Sequence, residues 1–192
     1  THSDNDHIEG LFYALKELKT GVLWTNSLIP FETNLRRLEN LATKKKIPIK
    51  NQSISLNSLD IKIEKIHPTK GFALNYFDRN ENNFSTVLKI SYGEISFLFA
   101  SDIEKEAEEY LVRLHGNKLR STILKVPHHG SKTSSTASFI KAVKPEVAVI
   151  SAGYMNRFRH PAKKVIDRYK KNSIKFHRTD LEGAITITTD GL

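Results

Sequence analysis

A chain of 192 residues, 39% hydrophobic and 27% charged, holds enough apolar material for one globular domain with a sizeable core. It contains no cysteine, which excludes disulfides and thiolate metal sites, so any metal must be held by nitrogen and oxygen. A formal net charge of +9 favours an anionic partner, nucleic acid first and an acidic membrane surface second, and no apolar run is long enough to cross a bilayer.

The opening stretch "THSDNDHIEG" crowds His2, Asp4, Asp6 and His7 into seven residues and runs directly into an apolar helical pattern over 8–19. Folding rarely requires two imidazoles and two carboxylates at such spacing; they are donors for a hard or borderline divalent cation. "GVLWT" reads as a short strand, and 30–45 as a second helix whose end carries Lys44, Lys45 and Lys46. "SLDIKIEKI" alternates like a half-buried strand, and the polar "HPTKGFALNYFDRNENN" after it reads as a loop. "STVLKISY" and "ISFLFAS" flank Gly93 as a hairpin. The remainder alternates: a helix over 103–115, the strand "STILKV", a helix near 134–143 capped by Ser134 or Ser135, the strand "EVAVIS", a helix over 161–171, then the strands "IKFH" and "AITIT". No repeat, linker or low-complexity segment interrupts residues 1–192, which read as a single α/β domain with helices packed outside sheets.

The other chemistry-bearing residues fall at the ends of these strands, where a rigid scaffold aims a site. Asp102 follows "SFLFAS", His128, His129 and Ser131 follow "STILKV", and His160 lies beyond "EVAVIS". Each has a simpler reading: Asp102 as the cap of a helix starting at Ile103, the paired histidines as turn residues before Gly130, His160 as packing ahead of Pro161. Together with the opening packet they amount to more ligands than one ion can take while leaving room for water and substrate. Two divalent cations, Zn or Mn, account for them better, with one carboxylate such as Asp102 bridging a pair about 3.5–4 Å apart. Arg157 and Arg159 beside His160 begin a basic stretch through Lys171, and with Tyr154 and Phe158 they read either as a groove for a nucleic-acid strand or, for Lys170 and Lys171 above all, as a solvated helix face. Ser131 and the hydroxyls after it read either as phosphate contacts or as helix caps, and His67, His115 and His177 as structural or surface residues.

"THSDNDH" resembles the H-x-[HD]-x-D-H motif of the metallo-β-lactamase superfamily. The ordered set "NNFSTVLKISYGEISFLFASDIEKEAE", "LKVPHHGSKTSS", "VISAG" with "NRFRHP", and "RTDLEGAITI" resembles, more narrowly, the hydrolase domain of ComEC-type DNA-uptake proteins. The resemblance implies an αββα sandwich with a metal site at one sheet edge. It implies His2 and Asp4 on one metal, Asp6 and His7 on the other, and Asp102 bridging them. Asp6 in such a motif also commonly holds the nucleophilic water. The last histidine ligand falls on His160 by strand order, with His128 or His129 as alternatives that would otherwise contact the scissile phosphate. Three departures accompany the likeness. The strands that precede the motif in the family do not precede it here, which implies a sandwich lacking its first strands. The usual "HIGG" reads "HIEG", which sets Glu9 near the metals, and the glycine before the bridging aspartate is Ser101. No histidine stands at the separate third-motif position, where Asn82 or Asn83 is placed to face the site.

The expectation is therefore a metal-dependent phosphodiesterase acting on DNA, degrading one strand during uptake by a hydroxide activated between two metals. It would work beside a membrane channel domain of the same parent protein at the outer face of the cytoplasmic membrane, or in the cytoplasm if free-standing. Hydrolysis of a small ester, lactone or phosphodiester on the same scaffold, or DNA binding without catalysis, are the alternatives; fold alone does not choose among them.

Overall fold

The computed structural model describes residues 4–25, 33–50, 55–58, 60–76 and 80–192. His2, expected as a ligand, lies outside them. The described chain is α/β, built on a seven-stranded sheet in the order β3 (Ser55–Ser58), β4 (Ile61–His67), β5 (Val87–Tyr92), β6 (Ile95–Phe99), β7 (Ile123–Lys125), β8 (Val147–Ile150), β9 (Lys175–Arg178). The first four strands pair antiparallel as meanders; β6 to β9 pair parallel. Each parallel step needs a crossover helix: α4 (Lys105–His115), α5 (Ala137–Val143) and α6 (Lys163–Lys171) supply them. Because the strands add in one direction, right-handed crossovers put all three helices on one face.

That face holds the main core. Leu98, Leu124, Ala148 and Ile150 from the strands meet Ala107, Leu111, Phe139, Ile140, Val143, Val165 and Tyr169 from the helices, all essentially inaccessible. Strand alternation turns Ile63, Ile90, Phe97, Phe99 and Val149 to the opposite face, where Ile185 and Ile187 of the C-terminal segment lie beside Phe97, Phe99 and Val149. "AITIT" thus forms no strand. Its isoleucines lie against the face of the sheet instead of extending its edge, and the segment is tied down where Glu94 N–H donates to Gly191 O at 2.8 Å.

A second, smaller core joins α1 (Asn5–Glu17), α2 (Thr33–Lys44) and β1 (Leu23–Trp24), which pairs in parallel with β2 (Ile49–Lys50). Ile8, Phe12 and Leu15 recur at helical spacing along α1 and pack with Leu23, Leu38 and Ala42.

Other expectations need correction. "HPTKGFALNYFDRNENN" is not one loop: Lys70–Tyr76 is a helix, α3. Thr69 Oγ1 accepts from Phe72 N–H, and Phe72 is fully buried edge-on to the His67, Phe84 and Tyr110 rings. One buried aromatic organises two turns too short to show periodicity. Helix α5 begins later than expected, with Thr136, not Ser134 or Ser135, accepting from Phe139 N–H as its cap. Helix α4 begins at Lys105, so Asp102 is not a helix cap. The Gly93 turn is as read; there φ is +56° and an added Cβ would collide with Gly191 O.

Candidate metal centre

Four donors converge where the N-terminus of α1 meets the C-terminal ends of the parallel strands, the usual place for sites in such sheets. Asp4 precedes α1, and its carbonyl accepts from His7 and Ile8 N–H, so the first helical turn projects Asp6 and His7. His7 Nε2 lies 3.3 Å from Asp102 Oδ1 and 3.6 Å from Asp6 Oδ2. His129 Nε2 lies 3.2 Å from Asp102 Oδ2 and 3.3 Å from Asp6 Oδ2. Ligand atoms of Asp6, His7 and His129 fall within 4.8 Å of one another. Asp102 sits beneath them, 3% exposed.

The local backbone that aims these groups is unusual. "PHHG" turns with His128 and His129 both at positive φ (47° and 53°), followed by Gly130 at +77°. A Cβ on Gly130 would sit 2.7 Å from Pro161 Cβ, so only glycine lets the histidine turn close against the His160–Pro161 segment. Left-handed conformations at non-glycine residues cost of order 1–3 kcal/mol each and persist where the surroundings over-determine them. Here the fixed points are His128 N–H to Ser101 O at 3.0 Å, Ser134 Oγ to Pro127 O at 2.9 Å, and Ala162 N–H to Gly130 O at 2.8 Å.

The electrostatics match a cation site. Burial pushes the Asp102 carboxyl up, but His129, His7 and the Lys125 ammonium at 3.6 Å outweigh it and hold the group far below the carboxylate range. Contact with Asp102 raises His129 in turn, against burial. His129 Nδ1 lies 2.7 Å from Ser151 O; a carbonyl only accepts, so Nδ1 carries a proton, and a cation displacing the proton shared with Asp102 would meet a lone pair at Nε2. That is the arrangement of an imidazole ligand with its outer partner. Asp102 Oδ1, His129 Nε2 and His160 Nδ1 are buried yet complete no directional hydrogen bond among the described residues. A buried carboxylate oxygen and an imidazole nitrogen set close together without a completed hydrogen bond fit a divalent cation of the nitrogen–oxygen class.

The remaining expected residues divide. Asp4, Asp6, Asp102, His128, His129, Arg157 and His160 line one cavity of about 630 Å³, together with Asn34, Asn156 and Phe158. His160 stands off from the four-donor cluster: its ring packs against His128 (5.9 Å between centroids) and stacks on Phe158 (5.8 Å). His128 Nδ1 faces Glu104 Oε1 at 2.9 Å, leaving Nε2 as the nitrogen it can offer to the cavity. Arg159 lines an adjoining cleft. Ser131 is buried, its hydroxyl 2.9 Å from Thr133 Oγ1, and does not line the cavity. Nor does Asn83, which is buried with its carbonyl accepting from Glu104 N–H at 2.8 Å and its amide donating to Glu106. Glu9 is exposed on α1 and is not among the lining residues. His67 is structural: it is fully buried, with Nε2 2.7 Å from Asn83 O, and burial lowers its pKa to about 4. His177 pairs with Glu182 at 2.7 Å.

Three residues escaped the sequence reading. Lys125 carried a signal, a lone lysine in the buried strand "STILKV"; its ammonium donates to Ser101 O at 3.1 Å beside Asp102. Glu104 and Glu108 were hidden in the charge run "EKEAEE", which reads as a solvated helix face. Ser101 is held at φ +49° with its buried hydroxyl lacking a partner among the described residues. Ser101→Gly is expected to stabilise the protein by about 1 kcal/mol, relieving left-handed strain and an unsatisfied hydroxyl at once. Thermal denaturation measures it; an unchanged or lower melting temperature would refute the strain.

The Metallo-beta-lactamase superfamily model matches residues 1–154. The chain belongs to the metallo-β-lactamase superfamily. Among curated relatives, ComE operon protein 3 of Bacillus subtilis is 33% identical over 96% of this chain, and Competence protein ComA of Neisseria gonorrhoeae is 42% identical over 55% of it. Recombination protein 2 of Haemophilus influenzae is 27% identical over 97%. The chain spans only 23%, 15% and 21% of these three relatives, respectively. Of solved structures, the Streptomyces venezuelae diiron β-hydroxylase CmlA aligns with a TM-score of 0.54 at 13% identity, covering 93% of this chain and 42% of CmlA. At that identity the likeness speaks to the fold alone. The chain is thus a metallo-β-lactamase-fold hydrolase related to competence proteins. Among the described residues no helix is long and apolar enough to cross a membrane.

Proposed function

We propose that the protein is a metal-dependent phosphodiesterase that cleaves DNA. The observation that carries this reading is the convergence of Asp6, His7, Asp102 and His129, three of which (Asp6, Asp102 and His129) line a cavity together with Arg157. These four residues would hold the cation, with Asp102 offering one oxygen toward each histidine, an arrangement suited to a pair of ions; Asp4 and His2 complete the donor set in the family pattern. A bound Zn or Mn would acidify a water and offset charge growing on a phosphoryl oxygen.

The chain's own residues do the rest. Ser151 holds a proton on His129 Nδ1, so that Nε2 is the nitrogen left to meet a cation. Glu104 holds the His128 ring through Nδ1, and His128 Nε2 is the group placed to contact a phosphate oxygen or the departing one. Arg157 and Arg159 offer charge to a phosphate backbone, consistent with the net charge of +9. Kinship with competence proteins supports DNA as the polymer, degradation of one strand during uptake as the setting, and a membrane channel domain of a longer parent chain as partner.

The test is cleavage of labelled single-stranded and duplex DNA with Mn²⁺, Zn²⁺ or chelator. Metal-dependent cleavage that disappears in Asp102→Asn is expected. Stoichiometric metal binding without cleavage of any DNA would overturn the reading in favour of a small ester or phosphodiester substrate.

A further inference from the structure

The segment 151–162, between β8 and α6, is polar and irregular yet tightly built. Asn156 bonds it three times: its amide donates to Gly153 O at 2.9 Å and His160 O at 2.6 Å, and its side-chain oxygen accepts from His160 N–H at 2.9 Å. Met155 and Arg159 are both at positive φ. On this rigid frame the loop exposes large apolar side chains: Tyr154 is 76%, Met155 84% and Phe158 64% accessible. A pinned loop that presents aromatic rings to water at the mouth of a cavity serves no packing purpose.

The arrangement around Phe158 narrows what the rings meet. Its ring stacks nearly parallel (18°) on His160, and the Arg157 guanidinium lies over it, 4.6 Å from the centroid. Arg157, Phe158 and His160 therefore form a planar stack at the cavity edge. Asn156, Arg157 and His160 also line the adjoining cleft of about 560 Å³ with Arg159 and Arg178, so the stack stands between the candidate metal centre and a second cationic surface. Arg178 is already engaged by Asp180 through its Nε and Nη2. The exposed Arg157 and Arg159 have no carboxylate partner within ion-pair distance among the described residues, and theirs is the charge available to an anion.

We infer that this loop is a base-stacking subsite that selects single-stranded nucleic acid. The inference rests on the DNA-cleavage reading above and adds how one strand form is chosen. An unpaired base next to the scissile phosphate stacks on Phe158, taking the place of the exposed Arg157 guanidinium, which turns to the neighbouring phosphate. Planar π-faces accept any base, so the selection is for an unstacked strand and not for sequence. A base held within a duplex is already stacked on both faces and cannot reach the ring without leaving its helix.

The experiment is fluorescence anisotropy of the whole chain with labelled oligothymidylate and with a hairpin duplex of equal length, in chelator so that nothing is cleaved. Phe158→Ala is expected to weaken single-strand binding about tenfold, the usual effect of removing one stacking aromatic, while duplex affinity and the salt slope stay unchanged. Phe158→Trp restores single-strand binding. Arg157→Ala weakens both forms and lowers the salt slope by about one. Phe158 is exposed, so its truncation leaves the fold intact, and circular dichroism confirms it. Equal loss on both DNA forms, or none on either, would overturn the stacking subsite. Failure of the cleavage reading shows up separately, as wild-type protein that cuts no DNA when Mn²⁺ is restored.

Discussion

Asp102→Asn is expected to fold normally, lose its divalent cation and lose hydrolysis of every substrate the protein accepts. The substitution is close to isosteric and keeps one oxygen acceptor, so packing beneath the histidine turn survives. What disappears is the charge. Asp102 is 3% exposed, and its two oxygens separately face His7 and His129 at 3.3 and 3.2 Å. An amide replaces one oxygen with two N–H donors that no cation accepts. Losing even an outer partner of a ligand typically costs 10–100-fold in metal affinity or activity; a buried carboxylate facing two histidines at the proposed centre should cost at least about a hundredfold in both. Lys125 makes the loss sharper. Its ammonium, 3.6 Å from Oδ1, is balanced by this carboxylate, and without it a nearby positive charge opposes any incoming cation. Competition with a chromophoric chelator reads the affinity apart from turnover. An Asp102→Asn protein that holds metal as tightly as the wild type would remove Asp102 from the ligand set.

Much of this site was legible because its donors carry their own chemistry. Asp6 and His7 are conspicuous in "DNDH", Asp102 ends an apolar strand, and His128–His129 precede a glycine. What sequence could not give is direction. Neighbours in the chain diverge in space: His129 turns its Nε2 to the carboxylates while His128 turns its Nδ1 to Glu104, a split created by two successive left-handed residues. Strand order points to His160 as the last histidine, whereas the structure sets His129 beside the carboxylates, because the turn after β7 folds back over Asp102. The supporting charges were less legible still. In "EKEAEE" the glutamates look alike, yet Glu104 faces the site and Glu108 is fully buried; helical phase and tertiary packing separate them, not composition. The sheet was read well from β5 onward, where apolar runs and turn signals alternate regularly. Errors came where tertiary contact overrides pattern: Phe72 drawing a short helix out of a polar stretch, and Ile185 and Ile187 settling on the face of the sheet.

Glu108→Gln is expected to change how stability depends on pH. Glu108 lies on α4 with no exposure, its two oxygens accepting from Ser135 N–H at 2.5 Å and Thr136 N–H at 2.7 Å. It therefore ties the end of the segment that begins with the histidine turn to the helix that follows Asp102. Arg168 assists from α6, donating to Ser134 O and Ser135 O. Burial pushes the Glu108 carboxyl up to about 7, with the Thr136 and Ser135 donors and Arg168 only partly opposing. The folded protein thus holds a proton there that the unfolded chain, near 4.5, has released. Folding is favoured by this group below about pH 4.5, and the advantage is lost as pH rises through about 7. Glutamine does not titrate, so the stability of wild type relative to Glu108→Gln should fall across that window by on the order of 3 kcal/mol, because a tenfold change in proton affinity between the two states is worth about 1.4 kcal/mol. All other groups are common to both proteins, so the difference isolates Glu108. Urea unfolding of the two at pH 5 and pH 8 measures it, and a difference that stays constant with pH would mean that the backbone donors hold Glu108 ionised throughout. Glu108→Ala, which keeps neither hydrogen bond, should also loosen the turn and weaken metal binding at His129, a consequence that the titration alone does not require.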